Sequence, residues 1–137
     1  MSQAIEHLQA ALQQAMAGRP QAGGFPHLAG VLRRAGVTHN IWFLPACQSL
    51  YLTELGPVVM QGEPLVTGWA DVPSFDEAAL VAALRKDQVG QSTFPEFLQA
   101  TWRAGVVRYE VALEDRTVTY FGAAGECYQE AYPCAAI

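Results

Sequence analysis

The sequence predicts an α+β fold: two layers, in which internally duplicated α-α-β-β(-β) halves form one antiparallel sheet packed against four helices. An internal repeat is the first observation behind this. Phe25-Pro26, Arg34-Ala35-Gly36-Val37, Leu44, Tyr51 and Gly56 return as Phe94-Pro95, Arg103-Ala104-Gly105-Val106, Leu113, Tyr120 and Gly125, each pair 94 − 25 = 69 residues apart. Self-similarity at a fixed spacing sets the architecture on which every other residue is placed. The second observation is punctuation: in each half, helical patterns stop at a glycine and give way to short runs suited to a pleated surface. Helices of this length cannot bury their stripes alone and a lone hairpin is marginal in water, so the halves share a core.

The elements follow in order. Ser2 can cap a first helix whose apolar Ile5, Leu8, Leu12, Ala15 and Met16 make one stripe, ending near Gly18. Arg19 to Gly24 is a loop. A second helix opens around Phe25-Pro26, where proline is tolerated because first-turn amides lack partners, and Gly36 stops it in a left-handed C′ position. Thr38 to Phe43 and Ser49 to Thr53 are strands, Val58 to Met60 a short third, and residues 61–73, with two glycines and two prolines, link the halves. Ser74-Phe75-Asp76-Glu77 and Thr93-Phe94-Pro95-Glu96 are capping-box patterns for the third and fourth helices, and Gly105 ends the fourth. Leu80, Leu84 and Gly90 repeat Leu8, Leu12 and Gly18 at an offset of 72, so the second interhelical loop is three residues shorter. Val106 to Leu113 and Thr117 to Phe121 form a hairpin, and Glu126 to Tyr128 adds an edge strand. The expected organisation is one domain, 1–137, of repeats 2–60 and 74–128.

Composition bounds the partners. The 137 residues suffice to bury about two thirds of the unfolded surface without metals or disulfides. A hydrophobic share of 51% against 15% charged, with mean hydropathy +0.11, lies on the apolar side and points to surface shared with a second copy. Net charge −5 excludes a nucleic-acid surface, which needs clustered Lys and Arg. No apolar run reaches a membrane span and no signal-peptide pattern opens the chain, so a cytoplasmic location is expected. Cys47, Cys127 and Cys134 do not make a disulfide framework. Cys134-Ala135-Ala136-Ile137 fits the letters of a prenylation signal without the polybasic stretch that accompanies one.

Strand alternation sorts the chemistry. Val107, Tyr109, Val111 and Leu113 share the face that meets the helices, leaving Arg108, Glu110 and Ala112 on the other. Carried across the repeat, Thr38, Asn40 and Trp42 face the helices, and His39, Ile41 and Phe43 face away. His39 and Arg108 are repeat-related and so are expected to approach across the pseudo-axis with Glu110 nearby, as a ligand-binding or hydrogen-bonding set. Ile41 and Phe43 on that face suggest a covered surface. His27 and Glu96 belong to helix first turns, and Asn40, if buried, needs core partners. No GxSxG, phosphate loop, HExxH or paired metal ligands occur, so no metal, cofactor or catalytic residue is expected.

With these residues in place, Leu84, Gln88, Gly90, Phe94-Pro95 with Phe97, Ala104-Gly105-Val106 and Thr117-Val118-Thr119-Tyr120 with Gly125 form an ordered set. Together with Gly36-Val37-Thr38-His39 and Leu50-Tyr51-Leu52, it resembles the YdfO-like bacterial family of unknown function. Some members of that family are prophage-encoded and labelled phage envelope protein. The resemblance implies a small α+β domain with no established activity. The chain departs from the family at Asp87, where histidine is common, and at Asn40-Ile41, where an aromatic followed by an acid is common; His39 is kept. The leading expectation is a non-catalytic binding or self-association domain, homodimeric through Ile41 and Phe43. The alternative is a small-molecule site or minor enzyme in a groove near the pseudo-two-fold axis, using His39, Arg108 and Glu110.

Overall fold

A computed structural model describes residues 2–135. Ten elements follow one another: α1 (Gln3–Ala17), α2 (Gly24–Arg34), β1 (Val37–Phe43), β2 (Gln48–Thr53), β3 (Gly56–Gln61), α3 (Glu77–Gln88), α4 (Phe94–Arg103), β4 (Val106–Ala112), β5 (Thr117–Gly122) and β6 (Cys127–Ala131). The strands form a single antiparallel sheet in the order β3-β2-β1-β4-β5-β6, with the helices against one face. The α+β, two-layer expectation is met. The prenylation tetrapeptide ends in Ala136 and Ile137, outside the described residues.

The halves repeat down to their irregularities. β1 and β2 recur as β4 and β5 at the 69-residue offset. Gly36 and Gly105 both take positive φ, +93° and +87°. Cys47 and Arg116, also 116 − 47 = 69 apart, are the non-glycine residues with positive φ among the described residues, at 49° and 54°. A bulge shifts the register between Val37 and His39, and another between Val106 and Arg108. Such bulges change which residue faces the core. Val37 therefore takes the buried place expected of Thr38, which is exposed, and Val106 is more deeply buried than Val107.

The middle of the sheet joins the halves. β1 pairs with β4 so that Ile41 faces Glu110, and since 110 − 41 = 69 these two are also repeat equivalents. The pseudo-two-fold axis therefore passes between them, perpendicular to the sheet, leaving both helix pairs on one side. Leu44 N–H donates to Val107 O at 2.9 Å and Leu113 N–H to Thr38 O at 3.0 Å, two bonds related by the same axis. Leu44 and Leu113, at the two ends of this ladder, are buried.

Each helix is fixed by identifiable contacts. Ser2 caps α1 by accepting from Ile5 N–H, and His7 Nε2 lies 2.9 Å from Ala35 O at the end of α2. The buried stripe of α1 is Ala4, Leu8, Ala11 and Ala15, and its three alanines allow close approach to α2. Ile5 and Leu12 are only half-buried, and Met16, expected in the stripe, is 63% exposed. The Thr93–Glu96 capping box of α4 forms with both reciprocal bonds. The capping box expected at Ser74 does not form. Asp76 is the N-cap of α3, accepting from Ala79 N–H, because Ser74 and Phe75 run extended over Gly105 and Asp76 N–H donates to Ala104 O at 2.8 Å. The connection between β3 and α3 is anchored by Leu65 N–H on Pro45 O and leaves Trp69 wholly exposed.

This asymmetry is measurable. A Cβ on Gly36 would meet the Glu54 side chain, at 3.2 Å from its carboxylate, whereas one on Gly105 would sit 2.5 Å from Phe75 Cα and Ser74 O. Gly36→Ala should cost about 1–3 kcal/mol of backbone strain. Gly105→Ala should cost more, since the chain entering α3 must also move. Equal losses in urea denaturation would contradict the described path of residues 74–76.

Candidate functional site

The predicted site residues lie on the helix-free face of the sheet, and the register separates them. His39 is opposite Ala112, while Arg108 is opposite Phe43. Ala112 and Arg108 are four strand positions apart, roughly 13 Å. The expected approach of His39 to Arg108 does not occur, because repeat equivalents on antiparallel strands coincide only at the axis, a place held by Ile41 and Glu110. Arg108 instead reaches Glu110, Nε to Oε1 3.5 Å, and lays its guanidinium 4.0 Å above the Phe121 ring. His39 is exposed, with Nδ1 3.2 Å from Thr38 Oγ1. Phe43 is 46% exposed and Ile41 half-buried. This outer face is divided: Ile41, Phe43, Leu50 and Val59 cluster in one half, with Gln48 and Gln61 at its end, and the other half carries Arg108, Glu110, Thr119 and Gln129 with Phe121 beneath Arg108.

A concave feature lies on the opposite face. Between the two helix pairs and the centre of the sheet is a cavity of about 320 Å³, whose wall draws on both halves. Tyr51 and Tyr120, Phe25 and Phe94, Asn40 and Tyr109, and Trp42 and Val111 line it as repeat-related pairs. Trp42 packs edge-on to Phe94 with ring centres 5.1 Å apart, and Tyr109 lies 5.5 Å from Tyr120. Asn40 is satisfied in the core as expected, donating to Ser49 Oγ at 2.7 Å and Leu50 O at 3.2 Å. Burial, first of all, holds the Tyr109 and Tyr120 phenols above their ordinary pKa, so both stay protonated at neutral pH.

Polar groups gather at one end. Arg19 and Asp87 are the charged side chains lining the cavity, and with Phe25 and Gln88 they also line an adjoining polar cleft of about 590 Å³. The loop before α2 meets the end of α3 here, through Gly23 N–H on Gln88 O at 3.3 Å. Ser92 Oγ donates to Asp87 Oδ1 at 3.1 Å. Burial nonetheless raises the Asp87 pKa, against the lowering effects of Ser92 and Arg19. Nearby, Arg85 donates to Glu130 through both terminal nitrogens, and Tyr128 OH and Gln88 complete that carboxylate's partners. The Arg85 hydrogen bond is the main cause of the lowered Glu130 pKa. The letters around Asp87 held a signal: a lone carboxylate two residues after Arg85, in a last helical turn where the dipole disfavours negative charge. Among the described residues no group of three His, Cys, Asp or Glu is placed to hold a metal ion, and no helix is long and apolar enough to cross a membrane.

The two carboxylates should act on stability with opposite signs. Folded Asp87 keeps its proton to higher pH than unfolded Asp87, whose ordinary value is near 3.8, so its contribution weakens as pH rises from about 4 through the raised pKa. Folded Glu130 loses its proton more readily, so its contribution is full above its ordinary value near 4.5 and is lost as pH falls through the lowered pKa. Asp87→Asn should therefore raise Tm at pH 7, by an amount that shrinks toward pH 4. Glu130→Gln should lower Tm at pH 7 and flatten the acid limb. Melting curves across this range check both signs.

The family model described as "Protein of unknown function (DUF1398)" matches residues 13–130. Uncharacterized protein Mb2035 of Mycobacterium bovis is 59% identical over 132 residues, covering 96% of this chain and 80% of the relative. Uncharacterized protein Rv2012 of Mycobacterium tuberculosis gives the same values. The YdfO-like resemblance is thereby met at the level of a family of unknown function. With that model covering most of both repeats, the chain belongs to the DUF1398 family.

Proposed function

We propose that this chain is a small-molecule-binding protein whose site is the cavity between the helix pairs. One observation carries the reading: a space of about 320 Å³, at the lower end of ligand-pocket sizes, walled by apolar and aromatic side chains with a few polar groups at one end. A groove near the pseudo-axis was the sequence-based alternative; the proposed site keeps the axis and moves to the helix side of the sheet. Native mass spectrometry of gently purified protein should show a retained mass of a few hundred daltons. Leu12→Trp, which directs an indole into the cavity, should lose it while keeping a wild-type circular dichroism spectrum. A folded Leu12→Trp variant that retains the mass would contradict the assignment. So would a wild-type protein that neither carries a ligand nor binds naphthalene saturably.

A second reading concerns the outer sheet face, favoured by the exposure of Phe43 at 46% and Val59 at 58% beside Ile41 and Leu50. Covered by a second copy, this apolar cluster would be removed from water, with Arg108, Glu110 and His39 as its polar surroundings. Phe43→Glu should then halve the mass measured by light scattering. An unchanged mass would count against this interface.

A further inference from the structure

Asp87 stands where its own helix does not favour it. It occupies the last turn of α3, and its site is partly buried, yet only one hydrogen bond reaches it, from Ser92 to Oδ1. Among the described residues Oδ2 has no donor, and Arg19, though near enough to act on Asp87 electrostatically, makes neither a hydrogen bond nor an ion pair with it. The Tyr109 and Tyr120 hydroxyls, lining the same cavity, likewise have no hydrogen-bond partner among the described residues. Asp87 charge reaches both phenols: behind burial, it is among the causes that raise their pKa values. Among the polar groups of a mainly apolar lining, which also include Arg19, Asn40, Tyr51 and Gln88, Asp87 Oδ2 and the Tyr109 and Tyr120 hydroxyls thus make no hydrogen bond to the described residues. None of these three is sealed from solvent, as His27 Nε2 is, so a molecule that displaces water from them has to offer hydrogen-bond partners in its place.

Charge narrows the class. Arg19 and Asp87 are one positive and one negative group, so a charged guest of either sign would leave a net charge in a low-dielectric site. Shape narrows it further, because Phe25, Trp42, Phe94 and Phe97 offer ring faces and edges suited to a flat partner. We propose that the cavity takes an uncharged, planar one- or two-ring compound bearing an N–H beside a carbonyl. The N–H donates to Asp87 and the carbonyl accepts from Tyr109 or Tyr120. This inference rests on the small-molecule reading of the same cavity.

Four matched probes test it on the full chain by ligand-observed NMR titration: naphthalene, 2-quinolone, N-methyl-2-quinolone and 2-naphthoate. They share a two-ring body and differ in the polar edge. 2-Quinolone should bind at least about tenfold tighter than naphthalene or its N-methyl analogue, the scale of a hydrogen bond to a charged acceptor. Asp87→Ala should bring 2-quinolone to the level of its N-methyl analogue in the same variant. Naphthalene binding without any quinolone preference would overturn this inference and leave the cavity reading intact. Tightest binding by 2-naphthoate would overturn it in favour of Arg19 as anchor. Failure of all four to bind would remove the cavity reading itself.

Discussion

The structure depends on one pairing, that of β1 with β4 across Ile41 and Glu110. Each half is a three-stranded meander whose first strand would otherwise be an edge with a row of unpaired backbone donors and acceptors. Joining the two edges satisfies those groups, extended at both ends by the Leu44 and Leu113 amide bonds. Because repeat equivalents meet at the axis, the joint also places both helix pairs on one face. A six-stranded sheet with a single helical layer is the consequence. So is an open opposite face.

The cavity follows from the same geometry. Helices contact each other chiefly within their own half, α1 with α2 and α3 with α4, and each pair sits over its own side of the sheet. The space above the axis is left to side chains that the two halves supply in equivalent pairs. Where those pairs differ, chemistry enters: Asn40 is answered by Tyr109, and Trp42 by Val111. Asp87 and Arg19 lie at the end where the longer loop of the first half, before α2, meets the last turn of α3. A symmetric shell thus carries an asymmetric polar end, which is what a binding site with a fixed orientation requires.

Much of the fold was legible because the chain states it twice. The offset from Phe25 to Phe94 located every strand to within a few residues, and alternation correctly sent Tyr109 and Val111 to the core and Phe43 and Arg108 away from it. The failures have local causes. A bulge after Val37 is invisible to a period-two pattern, so Thr38 was assigned to the wrong face. Ser74 had the letters of a cap, but tertiary contact with Gly105 kept the chain extended until Asp76. His39 and Arg108 were paired by repeat equivalence, which says nothing about register; only one equivalent pair can meet in an antiparallel ladder, and it is Ile41 with Glu110. The cavity residues were legible singly as core positions. Nothing in the letters told that the helix pairs would stand apart and leave space among them.

The most direct measurement is a methyl-resolved NMR titration with naphthalene on protein labelled at Ile, Leu and Val. The cavity is lined by Leu12, Leu28, Val111 and Val118, while the outer face carries Ile41, Leu50 and Val59, so the methyls report the two faces separately. Saturable shifts confined to the first set are the result expected of a ligand site between the helix pairs. Shifts centred on the second set, or none at saturating naphthalene, would contradict it.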